Sequence, residues 1–303
     1  MKFFTPFLTF VLLLATSIFS SVDADEYSCE NPQANTNKPN TNKQSCITTG
    51  EWHIGVAVGL GVITNPLNDG DNIPLVLLPD IAWYGEKAYF DNGELGYQWH
   101  QETKHSFEGF VSVNRERAYF SFWHPSNILN PIENHSFIDA TLQSDDASGR
   151  TEVSIDQVRS RDWALDAGLR WQTALARGSA SITVKTDVTG VHHGQQLNLS
   201  YRLGFQYGEW QLGLSPSITW KSSALLDYYY GIDESDNLVL ENFYQAKAGW
   251  QPQLDLSGIY PLADDWQLLF KLGYQWLNKG MYDSPLVKEK QVRTIFIGAA
   301  YQF

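Results

Sequence analysis

The chain has 303 residues, enough for one large domain or two small ones. Its formal charge of −13 argues against a nucleic-acid partner, because phosphate binding needs clustered Lys and Arg. Aromatic residues make up 14% of the chain, and the slightly negative mean hydropathy argues against a helical membrane protein.

The first predicted element is a secretory signal peptide over residues 1–24. Lys2 precedes an apolar stretch from Phe3 to Phe19, and the small residues in Val22-Asp23-Ala24 suit cleavage after the alanine. An N-terminal membrane anchor is the alternative, but no basic flank follows the apolar stretch. The chain is therefore expected to be exported.

Residues 25–50 form a predicted polar tail in the periplasm, rich in Asn, Thr, Lys and Pro. The tail contains both cysteines of the chain, Cys29 and Cys46. An oxidising periplasm would allow one disulfide between them. Neither cysteine has a zinc-site spacing, and the residues before Cys29 are not those of a lipoprotein signal.

From residue 51 onward, segments of about ten residues alternate between apolar and polar side chains. In one of them, alternate residues from Leu197 to Tyr207 are apolar, and Asn198, Ser200 and Arg202 lie between them. A period of two indicates a β-strand, since successive side chains point to opposite faces. A soluble sandwich or a membrane barrel could contain such strands. Three details favour the barrel: a polar face suited to a wet lumen, Trp and Tyr near segment ends, and connections that alternate short and long.

The segments predict an all-β fold, a transmembrane antiparallel up-and-down β-barrel of about twelve strands over residues 51–303, with ten or fourteen strands also open. The predicted strands span residues 51–62, 73–85, 88–100, 105–113, 116–123, 162–175, 179–189, 195–207, 209–221, 243–260, 265–277 and 291–303. The predicted connections after even-numbered strands are short, at residues 85–87, 114–115, 176–178, 208–209 and 262–265. Short turns face the periplasm in such barrels, so both termini are predicted to be periplasmic.

The last predicted strand carries an outer-membrane insertion signal. Ile295, Ile297, Ala299, Tyr301 and Phe303 alternate up to the C-terminus. Outer-membrane chains often end on Phe with apolar residues at every second position before it, although an ordinary amphipathic strand could end this way by chance. We expect this strand to pair with the first one and close the sheet, because an open edge in lipid leaves backbone groups unpaired.

Several short segments have a recognisable order and spacing. They are Asn65-Pro66-Leu67, Pro74, Leu78-Pro79, Tyr84-Gly85, Gly93 to Tyr97, Asp187, Gly190, His193-Gly194, Asp227 to Gly231, Asp283 to Val287, and Tyr301-Gln302-Phe303. Together they resemble the MipA/OmpV family, named after MltA-interacting protein and the outer-membrane protein OmpV, and the resemblance is closer to the OmpV branch. It implies an outer-membrane barrel. In the MltA-interacting branch it also implies a scaffold for a murein hydrolase and a murein synthase.

Three loop segments are candidate partner contacts. Tyr228, Tyr229, Tyr230 and Gly231 lie in a long loop, and tyrosines are favoured at interfaces, although girdle or loop packing explains them too. Asp283-Ser284-Pro285 also fits ordinary turn chemistry. Asp187, His193 and Gly194 lie where a strand ends. Asp187, His192 and His193 could bind a metal ion, but a loop cap is the simpler explanation, because neighbouring histidines on a strand point to opposite faces.

No cofactor, metal site or catalytic residue is predicted. His124 and Ser126 have the spacing of a base and a nucleophile on one strand face, but Pro125 and the loop position disfavour catalysis. Opposed charges on the predicted lumen face, including Asp166 and Arg170, are expected to pair across neighbouring strands. A barrel of this size predicts a narrow or plugged pore.

Two functional hypotheses follow. The first is a structural or scaffolding barrel in the outer membrane that docks murein-metabolising enzymes through its tail and short turns. The second is a narrow porin-like diffusion channel or a surface adhesin. Both require contact with outer-membrane lipid and with the outer-membrane assembly machinery.

Overall fold

The computed structural model describes residues 49–102, 104–121, 124, 127, 152–236 and 238–303. The predicted signal peptide, nearly all of the polar tail, and Cys29 and Cys46 lie outside the described residues, so the predicted cleavage and disulfide remain predictions.

Twelve antiparallel strands form a closed barrel in which each strand pairs with its neighbours in sequence. This confirms the predicted fold class. The strands are β1 (Trp52–Ile63), β2 (Ile73–Tyr84), β3 (Ala88–Asp91), β4 (Glu94–Gln101), β5 (His105–Val113), β6 (Leu165–Leu175), β7 (Gly178–Asp187), β8 (Gln195–Tyr207), β9 (Trp210–Lys221), β10 (Gly249–Pro261), β11 (Trp266–Trp276) and β12 (Gln291–Gln302).

The barrel closes where it was predicted to close. β1 and β12 pair from Gly55 opposite Gln302 to Ile63 opposite Thr294. The N–H of Phe303 donates to the carbonyl of Ile54 at 2.9 Å, which extends the seam to the last residue. The seam leaves no sheet edge between the first and last strands.

One predicted strand is in fact two. The segment predicted as a single strand over 88–100 folds into β3 and β4, joined at Asn92 and Gly93. Both residues have positive φ angles, 46° and 91°. Asn-Gly is the sequence that two-residue hairpin turns prefer, because both positions need positive φ. The prediction was wrong here because the alternation continues through the turn.

A second predicted strand is absent. Residues 116–123 were predicted as the fifth strand, but Arg115–Phe120 form a 3-10 helix. Asn114 caps this helix, and residues 114–115, predicted as a short turn, begin the long connection between β5 and β6. The missed hairpin and the missing strand cancel, so the predicted count of twelve was reached through two errors.

The two ends of the barrel have different connections. At the end where β1 begins and β12 ends, the turns span residues 85–87, 102–104, 176–177, 208–209 and 262–265. At the other end, the connections between β5 and β6, β9 and β10, and β11 and β12 are long. Short turns face the periplasm, so the long connections lie at the outer surface.

Outward side chains form a lipid-facing belt with aromatic residues at both rims. Val58, Leu60 and Ile297 are exposed along the middle of their strands. Exposed tryptophans near the two ends of the strands are Trp52, Trp99, Trp171, Trp250, Trp266 and Trp276. Such girdles mark the two membrane interfaces.

Among the described residues, the outer connections contain the short α-helices α1 (Ser223–Tyr230) and α2 (Lys279–Tyr282). Further 3-10 helices span Ile155–Gln157, Glu234–Asp236 and Leu240–Asn242. In the part of the chain that is described, no helix is long and apolar enough to cross a bilayer.

Candidate functional site: the plugged lumen and its lid

Arg170 is the centre of a charged cluster on the lumen side of β3 to β6. Its guanidinium donates to both carboxylate oxygens of Glu94, at 2.9 and 2.8 Å, and to Glu108 at 2.6 Å. The Tyr89 hydroxyl donates to Glu94 at 2.8 Å, and the guanidinium lies 4.4 Å from the centre of the Phe110 ring. This forked geometry fixes side chains of four strands in one arrangement. The predicted pairing of charges on the lumen face is present here.

A second polar group lies on β10 and β11. Gln275 donates from Nε2 to Oε1 of Gln253 at 3.1 Å, and Gln253 donates to Asp255 at 2.8 Å. Lys271 interacts electrostatically with Asp255. This side of the lumen is therefore lined by amides and by balanced charges.

Residues 114–121, called the plug below, fold inward directly after β5. The side-chain oxygen of Asn114 accepts from the N–H of Glu116 at 2.9 Å and so starts the 3-10 helix. The buried Glu116 carboxylate accepts from Lys221 Nζ at 2.5 Å and from the Tyr230 hydroxyl at 2.7 Å. One carboxylate therefore joins the plug to β9 and to α1. Burial and the nearby Glu116 charge raise the pKa of Tyr230, so the phenol stays protonated and donates.

The far end of the plug reaches the opposite side of the barrel. The Tyr119 hydroxyl donates to Gln275 Oε1 at 3.3 Å. The amide of Asn65, in the β1–β2 loop, donates to the Tyr119 carbonyl at 2.8 Å. Because its partners lie on β9, β11 and the β1–β2 loop, the plug crosses the upper lumen.

His192 joins the wall, the plug and the outer loops at one buried point. Its Nε2 lies 3.1 Å from Asp166 Oδ1 and 3.3 Å from the Asn114 amide nitrogen. Its Nδ1 accepts from the N–H of Gly194 at 3.0 Å, which places the ring proton on Nε2. The ring centre is 5.9 Å from that of Tyr229 in α1.

The outer connections form a lid with a hydrophobic core. The lid comprises residues 64–72, 223–236 and 277–290 and includes both α-helices. Its buried core residues, with neighbours from the adjoining connections and from β12, are Leu67, Val153, Leu225, Leu226, Tyr229, Tyr230, Ile232, Ala246, Leu277, Met281, Leu286, Val287 and Val292. Burial of this many apolar side chains is what holds connecting segments in one arrangement.

A buried ion pair fastens the lid from the side. Arg161 Nη1 donates to Asp236 Oδ1 at 3.0 Å, and both side chains are 1% exposed. The same guanidinium donates to the carbonyl of Gly231 at 2.9 Å, and the N–H of Arg159 donates to Asp236. A charge pair this deeply buried is held by its additional hydrogen bonds.

The three predicted tyrosines occupy different environments. Tyr229 and Tyr230 are fully buried in the lid core. Tyr228 is partly exposed, and its hydroxyl accepts from the N–H of Asp162 at 2.8 Å. Gly231 follows α1, and its N–H donates to the carbonyl of Asp227 at 2.8 Å. With the lid closed, only Tyr228 presents a surface to a partner, and its role there remains a prediction.

The predicted Asp283-Ser284-Pro285 segment joins parts of the lid. The Ser284 hydroxyl donates to the Tyr230 carbonyl at 2.6 Å, and the Pro285 carbonyl accepts from the Asn68 amide at 2.6 Å. The Asp283 carboxylate, which is partly buried, lies 3.8 Å from the exposed Lys279 ammonium.

The predicted loop cap at the end of β7 has a clear geometry. The Asp187 carboxylate accepts from the N–H groups of Thr189, His192 and His193 at 2.7 to 2.9 Å. Gly194 lies directly against Leu225 of α1. These residues shape the β7–β8 loop, and partner contact by them is still a prediction.

Sequence reasoning missed most of the residues that close the mouth, namely Asn114, Glu116, Arg161 and Asp236, and it considered His192 only as a metal ligand or as part of a loop cap. Arg161 and Asp236 are 75 positions apart, and Lys221 and Glu116 are 105 apart. No local pattern signals such pairs, because they are set by the folding of the connections.

The described residues show no cluster of three or more His, Cys, Asp or Glu side chains that could hold a metal ion. His124 stacks on Trp163 with ring centres 4.8 Å apart. Burial, with the nearby Arg117 charge, lowers the pKa of His124 to about 4, so its ring is neutral at pH 7. Ser126 lies outside the described residues.

Comparison with known proteins gives a family match over most of the chain. The family model described as MltA-interacting protein MipA matches residues 58–303. The outer membrane protein YiaT of Escherichia coli (strain K12) is 26% identical over 227 residues, which cover 75% of this chain and 81% of YiaT. The outer membrane protein OmpV of Vibrio cholerae is 23% identical over 150 residues, covering 50% of this chain and 58% of OmpV.

Solved structures with some likeness are also outer-membrane proteins. An outer membrane channel from Pseudomonas putida F1 aligns with a TM-score of 0.36 and 11% identity, over 89% of this chain and all of that one. The toluene transporter TodX of Pseudomonas putida aligns with a TM-score of 0.32 and 8% identity, over 83% and 88% of the two chains. Likeness of this size does not transfer a function.

Proposed function

The chain belongs to the family of MltA-interacting protein MipA, and from this premise we propose that it is a closed structural barrel that docks murein-metabolising enzymes at its periplasmic end. Its location is the outer membrane, in contact with lipid along the barrel belt. The observation that carries the proposal is the occupied mouth: the plug crosses the upper lumen and bonds to β9 and to α1 of the lid, whose connections share a hydrophobic core. A barrel with a closed mouth is expected to act by binding other proteins at its exposed surfaces, because solutes cannot pass through it.

The periplasmic end offers the surface for docking. Its short turns carry exposed charged side chains of both signs, namely Glu86, Lys87, Glu102, Lys104, Arg177, Glu209, Asp264 and Asp265. Polar rims of this kind favour specific but reversible association. The polar tail, residues 25–50, is a second candidate contact for partners, and a murein hydrolase and a murein synthase are the proposed partners. The proposal assigns no catalytic step to this chain.

A binding experiment tests the proposal. The full chain, folded in detergent, is immobilised and exposed to a purified lytic transglycosylase, the class of murein hydrolase that the family resemblance implies. We expect capture of the enzyme, and weaker capture when residues 25–48 are removed or when Asp264 and Asp265 are changed to Lys. Capture of no transglycosylase by the full chain would contradict the docking role.

A second candidate function is a narrow channel that conducts when the lid moves. The observation in its favour is the lumen wall itself, where charged and amide side chains such as Arg170, Glu94 and Gln253 replace apolar ones. Transport would require displacement of the plug. Stepwise conductance from the unmodified protein would favour this function over the closed barrel.

A further inference from the structure

Arg293 is the charged side chain of the barrel wall that points toward the membrane. Phe296, three positions further along β12, is fully buried inside the barrel, and side chains of a strand alternate between its two faces, so Arg293 faces outward. Every other Asp, Glu, Lys and Arg of the twelve strands occupies a lumen position, as Arg170 and Lys221 do. A lone outward charge on such a wall calls for an explanation.

Arg293 lies at the level of the outer aromatic girdle. In the register of β11 and β12 it stands opposite Tyr274, whose ring centre is 4.6 Å from that of Trp276, an exposed girdle residue. β12 begins two residues earlier, at Gln291. At about 3.3 Å per residue, Arg293 is therefore roughly 7 Å from the outer end of its strand. This is the depth of the lipid headgroups, where a charge on the lipid face costs least.

The chain satisfies the backbone of Arg293 but not its guanidinium. The N–H of Arg293 donates to Thr64 Oγ1 at 2.8 Å, and its carbonyl accepts from the N–H of Thr64 at 2.9 Å. In the described part of the chain, which includes all of β1 and β11, no hydrogen bond or ion pair reaches the guanidinium. Arg161 and Arg170, by contrast, are paired with carboxylates. The Arg293 side chain therefore keeps its donors for a group outside the chain.

The connection that leads into β12 adds positive charge on this side of the mouth. The exposed basic residues of this connection, residues 277–290, are Lys279, Lys288 and Lys290. Its acidic residues have partners of their own, since the Asp283 carboxylate lies 3.8 Å from Lys279 and Glu289 accepts from Gln291 at 3.5 Å. The outer end of β12 is therefore a basic patch on a chain whose formal charge is −13.

Below Arg293 the outward surface is apolar. Ile295 and Ile297 follow on the same side of β12, and Val62 and Leu60 stand opposite them on β1. Leu60 is 75% exposed and Ile297 is 52% exposed. β12 is paired with β1 and with β11 along this stretch, so its backbone groups are satisfied and only side chains meet the hydrocarbon. A guanidinium above an apolar strip complements a lipid that has an anionic headgroup.

We propose that Arg293 binds a phosphate group of the outer-leaflet glycolipid. A guanidinium can donate two parallel hydrogen bonds to a phosphate, and the acyl chains of the same lipid lie along Ile295 and Ile297. Lys288 and Lys290 add attraction for the anion at the membrane surface. A second copy of the chain is a poorer partner, because every Asp and Glu of its strands faces the lumen. This site is independent of any docking of murein enzymes.

Binding of lipid A, the phosphorylated glycolipid of the outer leaflet, tests the site with two matched arginine substitutions. Arg293→Gln removes the outward charge of β12, and Arg202→Gln removes a lumen charge of β8. The full chain and both variants, folded in mild detergent, are titrated with lipid A and with lipid A whose phosphates have been removed. Native mass spectrometry counts the bound lipid, and gel mobility without heating reports folding.

We expect the affinity for lipid A to fall by about tenfold or more in Arg293→Gln and to stay unchanged in Arg202→Gln. Removal of the phosphates should cause the same loss on the unmodified chain and no further loss on Arg293→Gln. Equal affinity of the unmodified chain for the two lipids would overturn the proposal, even if Arg293→Gln does not fold. Unchanged affinity of a folded Arg293→Gln would overturn it as well. So would a lipid-free dimer of the unmodified chain that Arg293→Gln abolishes, since the guanidinium would then bind a second copy.

Discussion

The two ends of this barrel are built on different principles. At the outer end, long connections carry a hydrophobic core, a fully buried ion pair between Arg161 and Asp236, and a plug fastened to β9 through Glu116. At the periplasmic end, turns of two to four residues expose their charges to water. The barrel wall between them is the same antiparallel sheet throughout.

This difference between the two ends suggests that the lid at the outer end stabilises the fold, whereas the turns at the periplasmic end bind partners. Substitutions in the lid should disturb closure of the mouth, because its residues are buried and mutually bonded. Substitutions in the short turns should leave the fold intact and change only what the barrel binds. The four predictions below test that division, beginning with the largest expected effect.

The largest effect is expected for Arg161→Ala. It leaves the Asp236 carboxylate buried without its partner, which typically costs 3–5 kcal/mol. The lid should open locally, and limited proteolysis should cut within residues 223–236 or 277–290 while the barrel strands resist. Arg159→Ala is the control, since that guanidinium lies over the Tyr228 ring and outside the ion pair. Equal protease resistance of both variants would show that the ion pair does not hold the lid.

The next effect concerns two tyrosines of the same helix. Tyr230→Phe removes a buried hydrogen bond to the Glu116 carboxylate, and we expect a loss of about 1.5–3 kcal/mol in the free energy of unfolding. Tyr228→Phe removes only an exposed bond and should change stability little. Urea unfolding followed by tryptophan fluorescence measures both. A similar loss for the two variants would contradict the buried link between lid and plug.

A smaller loss of stability is expected when Gly194, but not Gly204, is changed to alanine. A Cβ at Gly194 would collide with Leu225 at the start of α1, whereas a Cβ at Gly204 would meet nothing within 4 Å. Overpacking of this kind typically costs 1–3 kcal/mol. Gly194→Ala should lower the unfolding midpoint, and Gly204→Ala should leave it nearly unchanged. If both variants have the same unfolding midpoint, α1 does not lie against the β7–β8 loop.

The smallest effect on stability is expected in the periplasmic turns. Asp264→Lys and Asp265→Lys lie in the exposed β10–β11 turn, so each should change stability by no more than about 0.5 kcal/mol. The same substitutions should weaken capture of the transglycosylase. A marked loss of stability would show that this turn contributes to the fold as well as to binding.

Much of the barrel wall could be predicted from the sequence, because the alternation of apolar and polar residues with a period of two is visible within each strand. Apolar and polar residues alternate from Leu197 to Tyr207, and β8 (Gln195–Tyr207) has the bounds of the predicted strand 195–207. The hairpin at Asn92 was missed although its Asn-Gly signal is local, because alternation runs on through the turn. The helix Arg115–Phe120 was missed because its stability comes from distant partners such as Lys221 and Gln275.

The lid was beyond sequence reasoning for the same physical reason. Tyr229 and Tyr230 were noticed as unusual, but nothing near them in the chain indicates burial. Their environment depends on Met281 and Leu286, which belong to another connection. Period-two patterns specify strands, whereas connections fold by contacts between segments that are distant in sequence.

Conductance of the purified full chain in a planar bilayer tests the closed mouth most directly. With the plug and lid in place, the unmodified protein should give no stable, stepwise conductance at neutral pH, and Arg161→Ala should give intermittent openings. Stable stepwise conductance from the unmodified chain would contradict the closed barrel and favour the channel.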